Sequence, residues 1–267
     1  MKAVFLSIIL LVAALMIFSY TNAPSDISKA PPGTVPFSDS LFIDRTEVTN
    51  RSWREFTQWV HDNMGDSAYA AVLQDTGVWN NGPGSANNEY YAQYYHVLPA
   101  FAEYPVVGVT YGQAQAYCEW RTKMVNEWIA KNGKAPFKKV LYRLPTRAEW
   151  EVAAMGDNNN QQNLYGRFAS NMETEEASQA KAFNCIYVKN ASLVGQHARI
   201  ASVVSYSPNS YGVYNMIGNV AEMVEEIGVA KGGSFLSYVG DCQVEKDQHY
   251  DTPEEWLGFR CICEVIE

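Results

Sequence analysis

Tyr211-Gly-Val-Tyr-Asn-Met-Ile-Gly-Asn-Val-Ala-Glu222 is followed by Lys231-Gly-Gly-Ser-Phe235 and, near the end of the chain, by Gly258-Phe-Arg-Cys261. Short apolar runs alternate here with glycine and asparagine, residues that carry turns rather than long regular elements. Read by residue type alone, Asn215 and Glu222 are hydrogen-bonding caps of a tight loop. The same texture extends back to about residue 157 and predicts a C-terminal half built largely from loops.

Working outward, the regular elements lie upstream. Thr110 with Gln113, and Thr146 with Glu149, are two capping boxes, each opening a helix. In the first, Ala114, Tyr117, Cys118, Trp120 and Met124 recur at helical spacing, so Cys118 is expected to face inward. Asn132 to Lys139, with Gly133 and Pro136, breaks it; the second helix is short and ends near Gly156. Leu41 to Val48 alternates imperfectly, as a strand would. A helix follows, capped by Thr49 or Asn50, with Trp53, Phe56, Trp59 and Val60 on one face. Residues 64–98, rich in Asn, Gly and Tyr, predict a long surface excursion. Its tyrosines, in 87–95, are either packing for that excursion or a binding face. Asn190-Ala-Ser192 is read as a polar loop; it is a glycosylation sequon only in a eukaryotic secretory setting.

The chain has 267 residues, 47% of them hydrophobic, with 17 Tyr and seven Trp. One large domain with a sizeable core is expected, of α+β class and rich in loops. The net charge of −9 argues against a nucleic-acid partner. Lys2 and the apolar run 3–18, with Thr21 and Ala23 after it, read as a secretory signal peptide over 1–23, or as an uncleaved membrane anchor at the short end of spanning length. No cysteine follows the run to carry a lipoprotein anchor there. Either reading places the rest outside the cytoplasm, facing the periplasm or exterior. Residues 24–38 are a leader and 39–267 the domain. Cys118, Cys185, Cys242, Cys261 and Cys263 are odd in number, so at least one lacks a partner within the chain.

Four blocks, Phe42-Ile-Asp-Arg-Thr-Glu-Val-Thr-Asn50, Tyr104-Pro-Val-Val-Gly-Val-Thr110, Tyr142-Arg-Leu-Pro-Thr-Arg-Ala-Glu-Trp150 and 211–222, come in the same order as in the formylglycine-generating-enzyme (sulfatase-modifying factor) family, followed by 231–235 and 258–261. The chain resembles that family over roughly residues 39–265. The resemblance implies a loop-rich α+β fold related to C-type lectins. It also implies an ancestral chemistry in which a client cysteine is oxidised with dioxygen and copper held by two cysteines five residues apart. Gly232-Gly-Ser-Phe-Leu-Ser-Tyr-Val-Gly-Asp-Cys242 matches the copper segment, but Ser237 stands at the first cysteine position and only Cys242 remains. A hydroxyl is hard and protonated where a thiolate is a soft ligand for Cu(I). Copper is therefore not expected, and Ser234, Ser237 and Cys242 are read as inactive family positions, Ser234 serving turn geometry.

The resemblance further implies a structural calcium held by the Asn215 and Glu222 side chains and the carbonyls of Gly218 and Val220, oxygen donors that suit a hard cation. A second family calcium site near Asn184 finds no acidic residue in 190–196. Cys118 would pair with Cys261; the family's other disulfide has no counterpart, since Ala153 and Ala154 lie where its first cysteine is expected. Cys185 with Cys263 is an open alternative without family warrant. Tyr104–Thr110, Cys118–Thr122 and Asn219-Val-Ala-Glu-Met223 also resemble non-oxidase lipoproteins of gliding motility and type IX secretion in Bacteroidetes; in the last, Ala221 replaces a large aromatic. The expected function is a non-catalytic envelope scaffold or binding protein with a protein or glycan partner. The alternative is a divergent oxidase or another redox enzyme acting on a protein thiol.

Overall fold

In the computed structural model, β1 (Thr34–Pro36) and β2 (Leu41–Asp44) form an antiparallel pair with Val35 opposite Ile43. The residues described are 30–38, 40–80, 88–133, 135–156, 182–187 and 199–266. The expected signal or anchor, the Asn190 sequon and the 190–196 stretch lie outside them. Thr49 accepts the Ser52 amide and caps α1 (Asn50–Met64). Trp53, Phe56 and Val60 are buried on one face of α1, and Trp59 packs at its margin. Asn50 is not the cap. It sits inside the first turn, and its buried amide donates to the carbonyls of Tyr95 (3.2 Å) and Phe101 (3.1 Å).

The expected excursion at 64–98 contains α2 (Asp66–Ala71) and α3 (Asn88–Tyr94). Aromatic packing orders it: Tyr91 and Tyr95 each bring their rings to 4.8 Å from Trp79, and Phe101 and Tyr104 close the cluster. Tyr95 is fully buried, whereas Tyr90 is 48% exposed. Trp79 and Tyr95 are therefore core, with Tyr91, Phe101 and Tyr104 half-buried against them.

Both capping boxes form. Thr110 and Gln113 open α4 (Tyr111–Asn132), and Cys118 is buried on its inner face. The helix stops at Gly133, whose φ of 58° is a left-handed conformation that glycine adopts without a steric penalty. β3 (Val140–Arg143) leads to α5 (Arg147–Met155), capped by Thr146 and Glu149; the Glu149 carboxylate also takes both arms of the Arg143 guanidinium, at 2.7 and 2.8 Å.

The remaining strands are β4 (Ala221–Met223), β5 (Val229–Lys231), β6 (Asp247–His249), β7 (Leu257–Gly258) and β8 (Ile262–Val265). One sheet has the order β1-β2-β8-β3 and the other β6-β5-β4-β7, in which β4 and β7 run parallel. Side chains alternate across a strand, and β8 uses this to divide the core. Cys261 and Cys263 join the cluster of Trp53, Tyr117 and Phe259, while Ile262 joins that of Trp150, Met216 and Cys242. The expected alternative of Cys185 with Cys263 fails for this reason. Cys185 packs against the second cluster, and Cys263 faces the first.

Candidate functional site

The loop quoted at the outset closes around a buried charge network. Asn215 and Asn219 hold left-handed φ angles of 53° and 64°, which asparagine tolerates better than most residues. This geometry turns both amides toward Glu47, brought in by the segment between β2 and α1. Asn219 Nδ2 donates to Glu47 at 2.7 Å and Asn215 Nδ2 at 3.1 Å. Glu222, on β4, receives Arg260 Nε at 2.6 Å, Arg260 Nη2 at 2.5 Å and the Trp150 indole N–H at 2.7 Å. The remaining Arg260 donors reach the carbonyls of Asp44 and Tyr214. Glu47, Glu222 and Arg260 are at most 1% exposed.

Two carboxylates thus share one guanidinium. Desolvation pushes the Glu47 carboxyl up to about 7, against the pull of Arg260. Burial disfavours the charge on Arg260, but Glu222 outweighs it and holds the guanidinium above its ordinary value. With Glu47 protonated the network is neutral. Sequence reasoning selected Asn215 and Glu222 but missed Glu47, Asn219 and Arg260. All three lie inside the quoted family blocks, yet no local periodicity marks a charged residue as buried.

The calcium expectation can be tested against this geometry. Glu222, the only acidic side chain of the four expected ligands, has both oxygens engaged by Arg260 and Trp150, and the Asn215 amide nitrogen is directed at Glu47. As arranged, Asn215, Gly218, Val220 and Glu222 do not fit a calcium ion, because a cation would have to take Glu222 from Arg260. Asn184, expected near a second site, braces the loop by donating to Asn219 Oδ1 at 2.9 Å. Among the described residues no group of three or more His, Cys, Asp or Glu could hold a metal ion.

The segment after β5 makes a second, thiol-bearing site. Ser237 Oγ accepts the Ser234 amide at 3.0 Å and lies 3.2 Å from Ser234 Oγ, which accepts the Leu236 amide. Both hydroxyls thus hydrogen-bond within the turn. Cys242, fully buried, places its sulfur 3.2 Å from that of Cys185. Ser237 and Cys242 offer one hydroxyl and one sulfur, which does not fit a soft two-sulfur copper site. Cys118 and Cys261, both buried, bring their sulfurs to 3.4 Å across 143 residues of chain. Ala153 and Ala154 are core residues, and Ala221 is fully buried in the first cluster.

Comparisons with known proteins agree with this architecture. The FGE-sulfatase family, described as a sulfatase-modifying factor enzyme 1-like domain, matches residues 16–265. The "Formylglycine-generating enzyme" of Thermomonospora curvata is 24% identical over 91% of this chain and 88% of its own. The "Inactive C-alpha-formylglycine-generating enzyme 2" of Bos taurus is 26% identical over 82% and 75%. "Serine/threonine-protein kinase pkn1" of Chlamydia pneumoniae is 34% identical over 49% of this chain, which spans only 15% of that protein's length. Among solved structures, CarF superposes with a TM-score of 0.56 at 20% identity, covering 88% of this chain and 93% of that one, a likeness of fold.

Proposed function

The chain belongs to the sulfatase-modifying factor enzyme 1-like (FGE-sulfatase) family, and from that premise we propose that it is a non-catalytic member, a scaffold or binding protein of the bacterial envelope. The family holds proteins named as enzymes and proteins named as inactive. One observation carries the choice between them. At the two positions that resemble the copper pair, Ser237 is committed to the Ser234 turn and Cys242 faces Cys185. A single thiolate at those positions does not reproduce a two-sulfur Cu(I) site.

The rest of the reading follows from the same premise. The domain works outside the cytoplasm, exported through residues 1–23 or attached to the membrane through 3–18, and its partner is an envelope protein or a glycan rather than a nucleic acid. The likeness to gliding-motility and type IX secretion lipoproteins supports an assembly role. No helix among the described residues is long and apolar enough to cross a membrane. Calcium at Asn215, Gly218, Val220 and Glu222 belongs to this proposal only as a rearranged state in which the ion displaces Arg260. The test is incubation of the reduced chain with Cu(I), dioxygen and a cysteine-bearing sulfatase peptide. No aldehyde product is expected, and stoichiometric conversion of the peptide cysteine to formylglycine overturns the reading.

A second reading, a redox enzyme acting on a protein thiol, draws on the closeness of Cys185 to Cys242. Against it, burial pushes the Cys185 thiol well up, away from the thiolate a reactive cysteine needs. Catalytic reduction of a mixed-disulfide peptide by the dithiol form would establish this second reading in place of the first.

A further inference from the structure

Five cysteines leave the pairing open in the sequence, and the fold narrows it. Cys118 lies against Cys261, and Cys263 is held beside Tyr142 on β8. Cys185 and Cys242 meet in the second cluster, from segments that hydrogen bonds already hold together. The Ile186 amide donates to the Ser237 carbonyl at 2.9 Å, and the Val239 amide donates to the Ile186 carbonyl at 2.9 Å. The backbone thus fixes one cysteine next to the other without help from their sulfurs.

The surroundings of the two sulfurs point the same way. A β-carbon added at Gly233 would come within 2.4 Å of Cys242 Sγ, and one added at Gly218 within 2.6 Å of Cys185 Sγ. Both glycines have φ in the left-handed region, 67° and 78°. At Gly218 the Asn184 carbonyl, at 2.5 Å, is closer still, so it is the Gly233 turn that gives its side-chain space chiefly to a sulfur.

We propose that Cys185 and Cys242 are a disulfide-forming pair that ties residues 183–187 to the segment after the Ser234–Ser237 turn. Two S–H bonds break and one S–S bond forms. The two electrons and two protons pass to an external low-molecular-weight disulfide, which is reduced to two thiols. Exchange passes through a mixed disulfide on one of the two cysteines, which the other then attacks, releasing a low-molecular-weight thiol. In this proposal the bond closes during folding, before burial pushes the Cys185 thiol up. This pair is independent of whether the protein is an enzyme. It takes Cys242 out of use as a single thiol and, with Cys118 against Cys261, leaves Cys263 as the unpaired cysteine.

The experiment is refolding of the reduced full chain in a buffer of oxidised and reduced glutathione, followed by alkylation, trypsin digestion and mass spectrometry. Cleavage after Lys181, Lys189, Lys231 and Lys246 puts the two cysteines on separate peptides, 182–189 and 232–246. The expected result is these peptides joined as the dominant species, with Cys263 alkylated. In Cys242→Ser the 182–189 peptide should change from cross-linked to alkylated, raising the labelled thiols from one to two per chain; Cys185→Ala should expose Cys242 in the same way. Alkylation of both Cys185 and Cys242 in the refolded wild-type chain, or a link from either to another cysteine, overturns the proposal.

Discussion

Arg260 grips Glu222 with two donors, Nε at 2.6 Å and Nη2 at 2.5 Å, and the pair, one partner on β4 and the other in the segment between β7 and β8, is sealed from solvent. The same guanidinium reaches the carbonyls of Asp44, on β2, and Tyr214, so it ties β4 to β2 and to the start of the Asn215–Asn219 loop. A fork of this shape is not reproduced by lysine. Removing one partner strands a buried charge, which costs about 3–5 kcal/mol, more than the pair contributes against an apolar replacement. Arg260→Met is therefore expected to lower the urea-unfolding free energy by about that amount. The double variant Arg260→Met with Glu222→Gln should recover part of the loss, and equilibrium unfolding of the single and double variants checks it.

Glu47 supplies a pH dependence of defined sign. Its carboxyl is pushed up to about 7 by burial, from the ordinary 4.5 of the unfolded chain. A raised acid binds its proton more tightly in the folded state, so this contribution is fully present below pH 4.5 and is lost as pH rises through 7. Glu47→Gln keeps a neutral side chain at every pH. Relative to wild type it should gain stability across that window, by up to roughly 3 kcal/mol. Denaturation at pH 5 and pH 8 measures the difference; an equal offset at both pH values would contradict it.

Much of the fold was legible because its signals are local. The Thr110 and Thr146 capping boxes, the apolar face of Trp53, Phe56 and Val60, and the inward turn of Cys118 each depend on spacings of three or four residues. Asn50 was misplaced as a possible cap because its partners, the carbonyls of Tyr95 and Phe101, lie some 45 to 51 residues away. Within 64–98, α3 was missed because ring packing, not apolar periodicity, defines it, and α2 because it is short and buries no residue. In the site, the family blocks located Asn215, Glu222, Ser237 and Cys242. Glu47, Arg260 and Cys185 become site residues only when the segment after β2, the segment before β8 and residues 183–187 are brought together, and no periodicity encodes that.

Calcium provides a direct test of the charge network. Arg260 already neutralises Glu222, so millimolar calcium is expected to leave the thermal midpoint where a chelator leaves it, once ionic strength is matched. Differential scanning calorimetry in both buffers makes the measurement. A calcium-dependent rise that Glu222→Gln abolishes would mean that the ion takes the place of the guanidinium, with stabilisation following its occupancy.

The position of Ser237 can be tested apart from Cys185. Wild type contains two sulfurs at 3.2 Å, and in its reduced form these could capture Cu(I) without Ser237 taking part. Cys185→Ser removes that route by putting a hydroxyl where the neighbouring sulfur stood. This variant should lose stoichiometric Cu(I) uptake in a competition titration against a chromophoric chelator. Adding Ser237→Cys restores the spacing of five residues and should raise Cu(I) affinity by at least tenfold, because a second thiolate replaces a protonated oxygen. If Cys185→Ser alone binds Cu(I) as tightly as the double variant, one sulfur suffices and the serine no longer argues against copper chemistry. If only the double variant binds, the turn has kept its shape and lost its metal through a single atom.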